Sequence, residues 1–169
     1  MKTFNASWCV GLVVAVAASC ALAQESKVGY INTQRITTES APAKAAQTKL
    51  EQEFSKRQKE LTDLQASAKT MGEKLERDAP TLSETQRVNR QKELTDQSRE
   101  FQRKRREFEE DLNARRNEEL QQVLDKANKA VKLVAEGEKY DLVIQEAVYV
   151  NPKQDITEKV LKILNGGGK

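Results

Sequence analysis

Apolar residues recur at helical heptad spacing through the central part of the chain, from residue 41 to residue 136. In the first half of this segment they fall on two lines of positions seven residues apart. One line is Gln47, Phe54, Leu61, Ala68 and Leu75, and the other is Ala43, Leu50, Arg57, Leu64 and Met71. Most of these positions are apolar, which is typical of the contact seam of a coiled coil. The pattern predicts a long helix that begins after Ser40, with Pro42 in its first turn.

One interruption divides the segment into two helices. Pro80 ends the first helix, because proline cannot continue it. Ser83 and Gln86 then have the spacing of a capping box that opens a second helix, which is predicted to end near Gly137. Since 40 of the 96 residues from 41 to 136 are charged, this segment cannot bury a core of its own. We expect a helical hairpin over residues 41–137, with its tip near 78–83, that projects from another part of the protein.

The seam of the second helix is less regular than that of the first. One line carries Leu94, Phe101 and Phe108, whereas the other carries Gln91, Ser98 and Arg105 before Leu112. A half-polar seam packs less firmly than one of leucine and isoleucine, so the outer part of the hairpin is predicted to move. Ordinary coiled-coil irregularity is the alternative explanation. A new apolar stripe then predicts where the helix joins a compact part of the protein. Its residues are Leu120, Leu124, Ala127, Val131 and Val134.

Short segments rich in strand-forming residues flank the hairpin. They are Lys27–Asn32, Tyr140–Ile144 and Ala147–Val150. Asp155 and Glu158 have the spacing of another capping box, which opens a last amphipathic helix. The fold class is therefore predicted to be α+β. Residues 24–40 and 138–169 form a small β-rich body with a C-terminal helix, and a long α-helical hairpin projects from it as a coiled-coil arm.

A body this small has too few residues to be stable alone, and its two or three strands leave open edges. The chain has no structural disulfide after its first segment, so assembly of several copies is the remaining way to stabilise the body. We expect the strands of these copies to join. The predicted body residues are Val28, Tyr30, Ile31, Leu142, Val143, Ile144 and Val148.

The first 23 residues have the pattern of a secretory signal. Lys2 precedes a short apolar run that ends in Ala21-Leu22-Ala23, which predicts cleavage after Ala23 and export to an oxidising compartment such as a periplasm. Both cysteines, Cys9 and Cys20, lie within this segment. Lipidation of Cys20 is an alternative to cleavage, although no leucine stands three places before it.

The remaining chemistry-bearing residues exclude most catalytic classes. The chain contains no histidine, and its cysteines lie in the predicted signal segment, so the usual general base and the usual zinc ligands are missing. No glycine-rich phosphate loop is present. We therefore predict no catalytic residue, no cofactor and no metal site. The net charge of +2 after cleavage, from 28 basic and 26 acidic residues, argues against a dedicated nucleic-acid binder.

One basic stretch in the second helix is a candidate contact surface. The stretch from Arg87 to Arg106 contains eight basic residues and three acidic residues. Such a surface attracts acidic proteins and anionic lipids, whereas a solvated helix face balanced by the following acidic residues is the plainer interpretation. The candidate arginines are Arg87, Arg90, Arg99, Arg103, Arg105 and Arg106.

The two ends of the chain carry a family resemblance. Val28-Gly29-Tyr30-Ile31-Asn32 with Gln34-Arg35-Ile36, then Tyr140–Val143, and Asp155-Ile156-Thr157 before Val160 resemble the Skp/OmpH family of periplasmic chaperones. The resemblance implies a homotrimer whose strands form a central body and whose three arms enclose a cavity. It also implies that this cavity holds unfolded outer-membrane β-barrel proteins without ATP and prevents their aggregation in transit.

Two other functions remain open from the residues alone. A structural or tethering coiled-coil protein of the envelope would use the hairpin as a spacer, and a lipidated Cys20 would favour it. A polyanion binder would use the basic stretch, with lipopolysaccharide or anionic lipid as its partner. Secretion argues against a physiological nucleic-acid partner.

Overall fold

The computed structural model describes residues 26–166. The elements are β1 (Val28–Tyr30), α1 (Thr33–Glu39), α2 (Ala41–Asp78), α3 (Glu84–Glu138), β2 (Leu142–Ile144) and α4 (Thr157–Leu164), with short 3₁₀ turns at Ala79–Thr81 and Pro152–Gln154. The predicted signal segment, its cleavage after Ala23 and the alternative at Cys20 lie outside the described residues. Among residues 26–166, no helix combines the length and the apolar character that a membrane span requires.

Segments from opposite ends of the chain meet in a two-stranded parallel sheet. β1 pairs with β2 so that Val28 lies opposite Leu142 and Tyr30 lies opposite Ile144. On its other side Tyr30 forms a bridge to Asp155. The predicted pairing of the first and last strand segments is confirmed. Because β1 has neighbours on both sides, β2 is the outer strand of the sheet within the described part of the chain.

The predicted strand at Ala147–Val150 is wrong. These residues form no regular structure, and the side chain of Val148 is fully exposed. β-Branched residues favour a strand only where a neighbouring strand supplies hydrogen bonds and a packing surface. Within residues 26–166 no strand lies beside this segment.

One apolar core holds the compact part of the molecule together. It is formed by Ile31, Ile36, Ala127, Ala130, Val134, Ile156, Val160 and Leu161. The base of α3 therefore packs on the body, as its apolar stripe predicts. The prediction that Leu120 belongs to this stripe is wrong, because its side chain is 45% exposed. The neighbouring Glu119 is the buried residue at this turn of the helix.

The short helix α1 is absent from the sequence predictions. Asn32 begins it, since its side-chain oxygen accepts a hydrogen bond from the Arg35 N–H at 3.0 Å. Ile36 anchors it in the core with 1% exposure. Ser40 then caps α2 by accepting from the Ala43 N–H at 3.3 Å, so the predicted start of the long helix is confirmed.

The far end of α3 differs slightly from its prediction. The helix continues through Gly137 to Glu138, and Lys139 takes the left-handed conformation at φ 56° that glycine was expected to supply. The Lys27 ammonium donates to the Glu138 carbonyl at 2.8 Å and lies 4.2 Å from the centroid of the Tyr140 ring. A cation at this position complements the negative end of the helix dipole.

The predicted capping box at Asp155 and Glu158 is also wrong. Asp155 accepts a hydrogen bond from the Thr157 N–H at 2.8 Å in a local turn, and α4 begins only at Thr157. The fully buried Thr157 hydroxyl accepts from the Asn32 N–H at 2.8 Å, across 125 residues of sequence. This bond ties the end of β1 to the start of α4.

Candidate functional site

The most prominent feature of the molecule is the two-helix arm formed by α2 and α3. At about 1.5 Å per residue, the 38 residues of α2 extend about 57 Å and the 55 residues of α3 about 82 Å. At the tip, the Ser83 hydroxyl and the Gln86 side chain complete the predicted capping box. Asp78 binds Arg90 at 3.0 Å across the turn, and this hydrogen bond lowers the pKa of the Asp78 carboxyl.

The half of the arm nearest the body has a firm apolar centre. Phe54 of α2 and Phe108 of α3 pack edge to face, with ring centroids 5.7 Å apart and an interplanar angle of 81°. Leu61 is buried beside them. The Arg57 guanidinium lies 5.7 Å and 5.8 Å from the centroids of the two rings, so it covers this contact. Aromatic pairs of this geometry add to the stability that burial alone provides.

A ladder of ion pairs connects the same halves of the two helices. Arg57 binds Asp111 at 2.7 Å, Glu53 binds Arg115 at 3.3 Å, and Lys49 binds Glu119. Each step of four residues down α2 is matched by a step of four residues up α3. The charge order alternates between the helices, so a shift of one rung would place like charges opposite each other. The ladder therefore fixes the register of the arm base.

Glu119 is the buried member of this ladder, with 5% exposure. Its carboxylate accepts hydrogen bonds from Lys49 and, at 2.8 Å, from Arg115. The hydrogen bond from Lys49 lowers the pKa of Glu119 below its ordinary value of 4.5, although burial acts in the opposite direction. The carboxylate is thus charged and fully paired at neutral pH.

Replacing Glu119 with glutamine should lower the melting temperature at pH 7, since Lys49 and Arg115 lose their shared anion. A lowered folded-state pKa stabilises the protein fully above 4.5 and loses this effect as the pH falls through the folded-state value. The difference from wild type should therefore stay constant from pH 7 to about 5 and shrink below it. Glu118→Gln, at an exposed partner of Arg115, is the control and should change little. A difference between variant and wild type that does not shrink at all as the pH falls below 4.5 would contradict this role.

The outer half of the arm is built differently. No residue from 62 to 107 is buried, and even Leu64, Met71 and Leu75 of α2 are only half-buried. The predicted polar seam at Gln91, Ser98 and Arg105 is wrong in its residues, because all three side chains are exposed. The half-buried polar residues in this part of α3 are instead Thr95, Gln97, Glu100 and Lys104, of which Gln97 and Lys104 are seven residues apart. The outer seam is therefore half polar, as expected, but on a line shifted by one residue.

Comparison with known proteins identifies the family of the chain. The sequence profile described as "Outer membrane protein (OmpH-like)" matches residues 27–164. The chain belongs to the OmpH family. It is 32% identical to "Chaperone protein Skp" of Yersinia enterocolitica over 164 residues, which cover 96% of this chain and 98% of that protein. It is 31% identical to the protein of the same name in Escherichia coli K12, again over 96% and 98% of the two chains.

A solved structure agrees with the fold. The crystal structure of an OmpH-like outer membrane chaperone from Caulobacter crescentus CB15 matches with a TM-score of 0.69 and 20% sequence identity, over 83% of this chain and 85% of that one. At that identity the match shows the shared architecture of long helices beside a small strand pair. Family membership confirms the predicted non-enzymatic class and supports a chaperone role. No cluster of metal-ligating side chains occurs within residues 26–166.

The predicted arginines do not form one cationic patch. Most are paired with nearby acids: Arg87 with Glu84, Arg90 with Asp78, Arg99 with Asp96, Arg103 with Glu100 and Glu107, and Arg105 with Glu109. The hydrogen bond from Arg103 lowers the pKa of Glu100. Only Arg99, Arg103 and Arg106 line a common shallow groove on α3. These pairs favour a balanced, solvated helix face for most of the stretch.

The predicted body residues lie together around the sheet, with one exception. Ile31 is buried, and Val28, Tyr30, Val143 and Ile144 are half-buried. Leu142, on the outer strand, is 54% exposed. Val148 is the exception, because it belongs to the irregular segment after β2. The sheet thus presents an outer strand followed by exposed apolar side chains.

Sequence reasoning missed the ion-pair ladder. Its members are charged residues at four-residue spacing in each helix, which single-helix patterns cannot distinguish from solvated faces. The usable signal was the alternation of Lys49, Glu53 and Arg57 against Asp111, Arg115 and Glu119 in antiparallel order. Finding it requires the register of the hairpin, which the turn at Ala79–Thr81 sets.

Proposed function

We propose that the protein is an ATP-independent periplasmic holdase. In this proposal residues 24–40 and 138–169 form a homotrimeric body, and the hairpins over residues 41–137 are three arms around a cavity. The cavity holds unfolded outer-membrane β-barrel proteins and prevents their aggregation in transit. The predicted signal over residues 1–23 supports export to the periplasm, and the named chaperone relatives support the activity.

The contrast between the two halves of the arm is the observation that carries this proposal. A firm base with aromatic contacts and an ion-pair ladder supports an outer half in which no residue from 62 to 107 is buried. A holdase binds many apolar sequences weakly and releases them without ATP hydrolysis. Loosely packed outer helices suit this task, because little packing is lost when they separate or bend.

The open sheet edge supports assembly into a trimer. β2 is an outer strand, and exposed Leu142, Val148 and Tyr149 lie on it or just after it. Open strand edges and exposed large apolar side chains are unfavourable in a free monomer. Pairing of β2 edges between copies would satisfy the open strand edge and would cover the exposed apolar side chains.

Dilution of a urea-denatured porin tests the proposal directly. We expect the mature protein, without nucleotide, to suppress the turbidity that the porin alone produces, and to form a complex whose mass equals three chains plus one porin. Turbidity unchanged from the porin alone would disprove the holdase activity. A monomeric mass for the free protein at micromolar concentration would disprove the trimeric body.

A further inference from the structure

An open apolar groove lies along one flank of the arm base. Its volume is about 530 Å³, it is open to solvent, and its apolar floor and wall include Leu50, Phe54, Phe108, Leu112, Leu120 and Val123. Leu120 contributes an exposed side chain, whereas Phe54, Phe108 and Val123 are buried beneath. A volume of this size is within the range of natural ligand sites.

The two flanks of the arm base differ in chemistry. The α2 members of the ion-pair ladder, Lys49, Glu53 and Arg57, do not line the groove. Glu51, Ser55 and Gln58 line it instead, and Glu51 has no ion pair across to α3 within the described residues. Of the ladder residues, Glu119 of α3 does line the groove, where its carboxylate is paired with Lys49 and Arg115. The groove flank therefore combines an apolar floor with a polar rim and one neutralised carboxylate.

We propose that this groove is a binding subsite for one extended, alternating apolar and polar segment of an unfolded outer-membrane β-strand. The inference rests on the proposed holdase function and adds a defined contact at the arm base to the movable outer half. Such strands place apolar side chains on one face and polar side chains on the other. The apolar face would lie on the leucine and phenylalanine floor, with the polar face toward solvent.

The rim and the length of the groove fit such a segment. Gln47 and Gln58 offer both donors and acceptors, as an unpaired strand backbone requires, and Glu51 and Arg116 balance each other in charge. From Ala43 to Gln58 the groove follows α2 for about 22 Å. An extended chain covers that distance with about seven residues, most of one membrane-spanning strand.

Substitution of Leu120 tests the subsite with a defined probe. The probe is a fluorescein-labelled peptide of about nine residues copied from one porin strand, and a peptide of the same composition with its apolar residues grouped at one end serves for comparison. Fluorescence anisotropy should show tighter binding of the alternating peptide to the wild type. Leu120→Glu should weaken that binding about tenfold, since a charge replaces part of the apolar wall.

Leu133→Glu is the matched control, because Leu133 is 60% exposed on α3 but lies outside both the groove and the outer half of the arm. The affinity of this control variant for the alternating peptide should equal that of the wild type. Equal peptide affinity for Leu120→Glu and the wild type, while the wild type still suppresses porin turbidity, would overturn the subsite and leave the holdase function intact. A changed mass of free Leu120→Glu would also overturn it, since the groove would then be a contact between copies.

A second measurement does not depend on a charged variant that folds. The protein beginning at Gln24 contains no cysteine, so Leu120→Cys can carry a single environment-sensitive fluorophore. Addition of the alternating peptide should shift its emission to shorter wavelength, whereas the same label on Leu133→Cys, outside the groove, should not respond. Equal responses at both positions would overturn the proposed location.

Discussion

Replacing Ile156 with alanine should lower the free energy of unfolding by about 2–5 kcal/mol, the usual cost of truncating a large buried aliphatic side chain. Ile156 is completely buried, and its Cδ1 atom lies 3.3 Å from the position that a Cβ on Gly29 would occupy. Its N–H also donates to the Tyr30 carbonyl at 2.9 Å. The side chain therefore joins β1 to the start of α4, and its loss leaves a cavity between them.

Urea unfolding followed by far-ultraviolet circular dichroism would measure this change, with the mass of the protein recorded beside it. Ile163→Ala is the matched control, because Ile163 is an isoleucine of α4, the helix that Ile156 precedes, but is only half-buried. Ile163→Ala should lower the free energy of unfolding by clearly less than Ile156→Ala does. Equal shifts of the urea midpoint for the two variants would show that burial at Ile156 does not hold the body together.

Phe108→Ala should open the base of the arm, with a local loss of about 3–5 kcal/mol. The ring of Phe108 is buried against Phe54 and is covered by Arg57. Hydrogen exchange should become faster in α2 around residues 50–61 and in the facing part of α3. The body core involves other residues, so its exchange should not change.

Phe101→Ala supplies the comparison, because Phe101 is half-buried at the edge of the same cluster. Its effect on exchange around residues 50–61 should be smaller. Unchanged exchange there in Phe108→Ala would mean that the ion-pair ladder alone holds the two helices together. Combining Phe108→Ala with Glu119→Gln would then separate the two contributions.

Local signals made the arm predictable. Pro80 and the spacing of Ser83 and Gln86 locate the turn, and Ser40 locates the start of α2. Each signal acts within four residues through backbone hydrogen bonds, so no knowledge of the tertiary structure is needed. The heptads of α2 likewise identified Phe54 and Leu61 as buried seam residues.

Elements that depend on distant partners were harder to predict. The threonines of α1 disfavour a helix locally, and the buried contact of Ile36 outweighs them. Ala147–Val150 has strand composition but no neighbouring strand in the described chain. Gln97 and Lys104 took the seam positions expected for Ser98 and Arg105, since the line that faces α2 depends on how the two helices supercoil.

The parallel pairing of β1 with β2 determines when the chain can complete its fold. Lys27 and Asp141 hydrogen-bond across 114 residues of sequence, and the whole arm lies between them. When the chain appears with its amino end first, the hairpin can form as soon as residues 84–138 have appeared. β1 has no partner strand until then. The sheet edge proposed to join copies therefore exists only after the whole arm sequence has appeared.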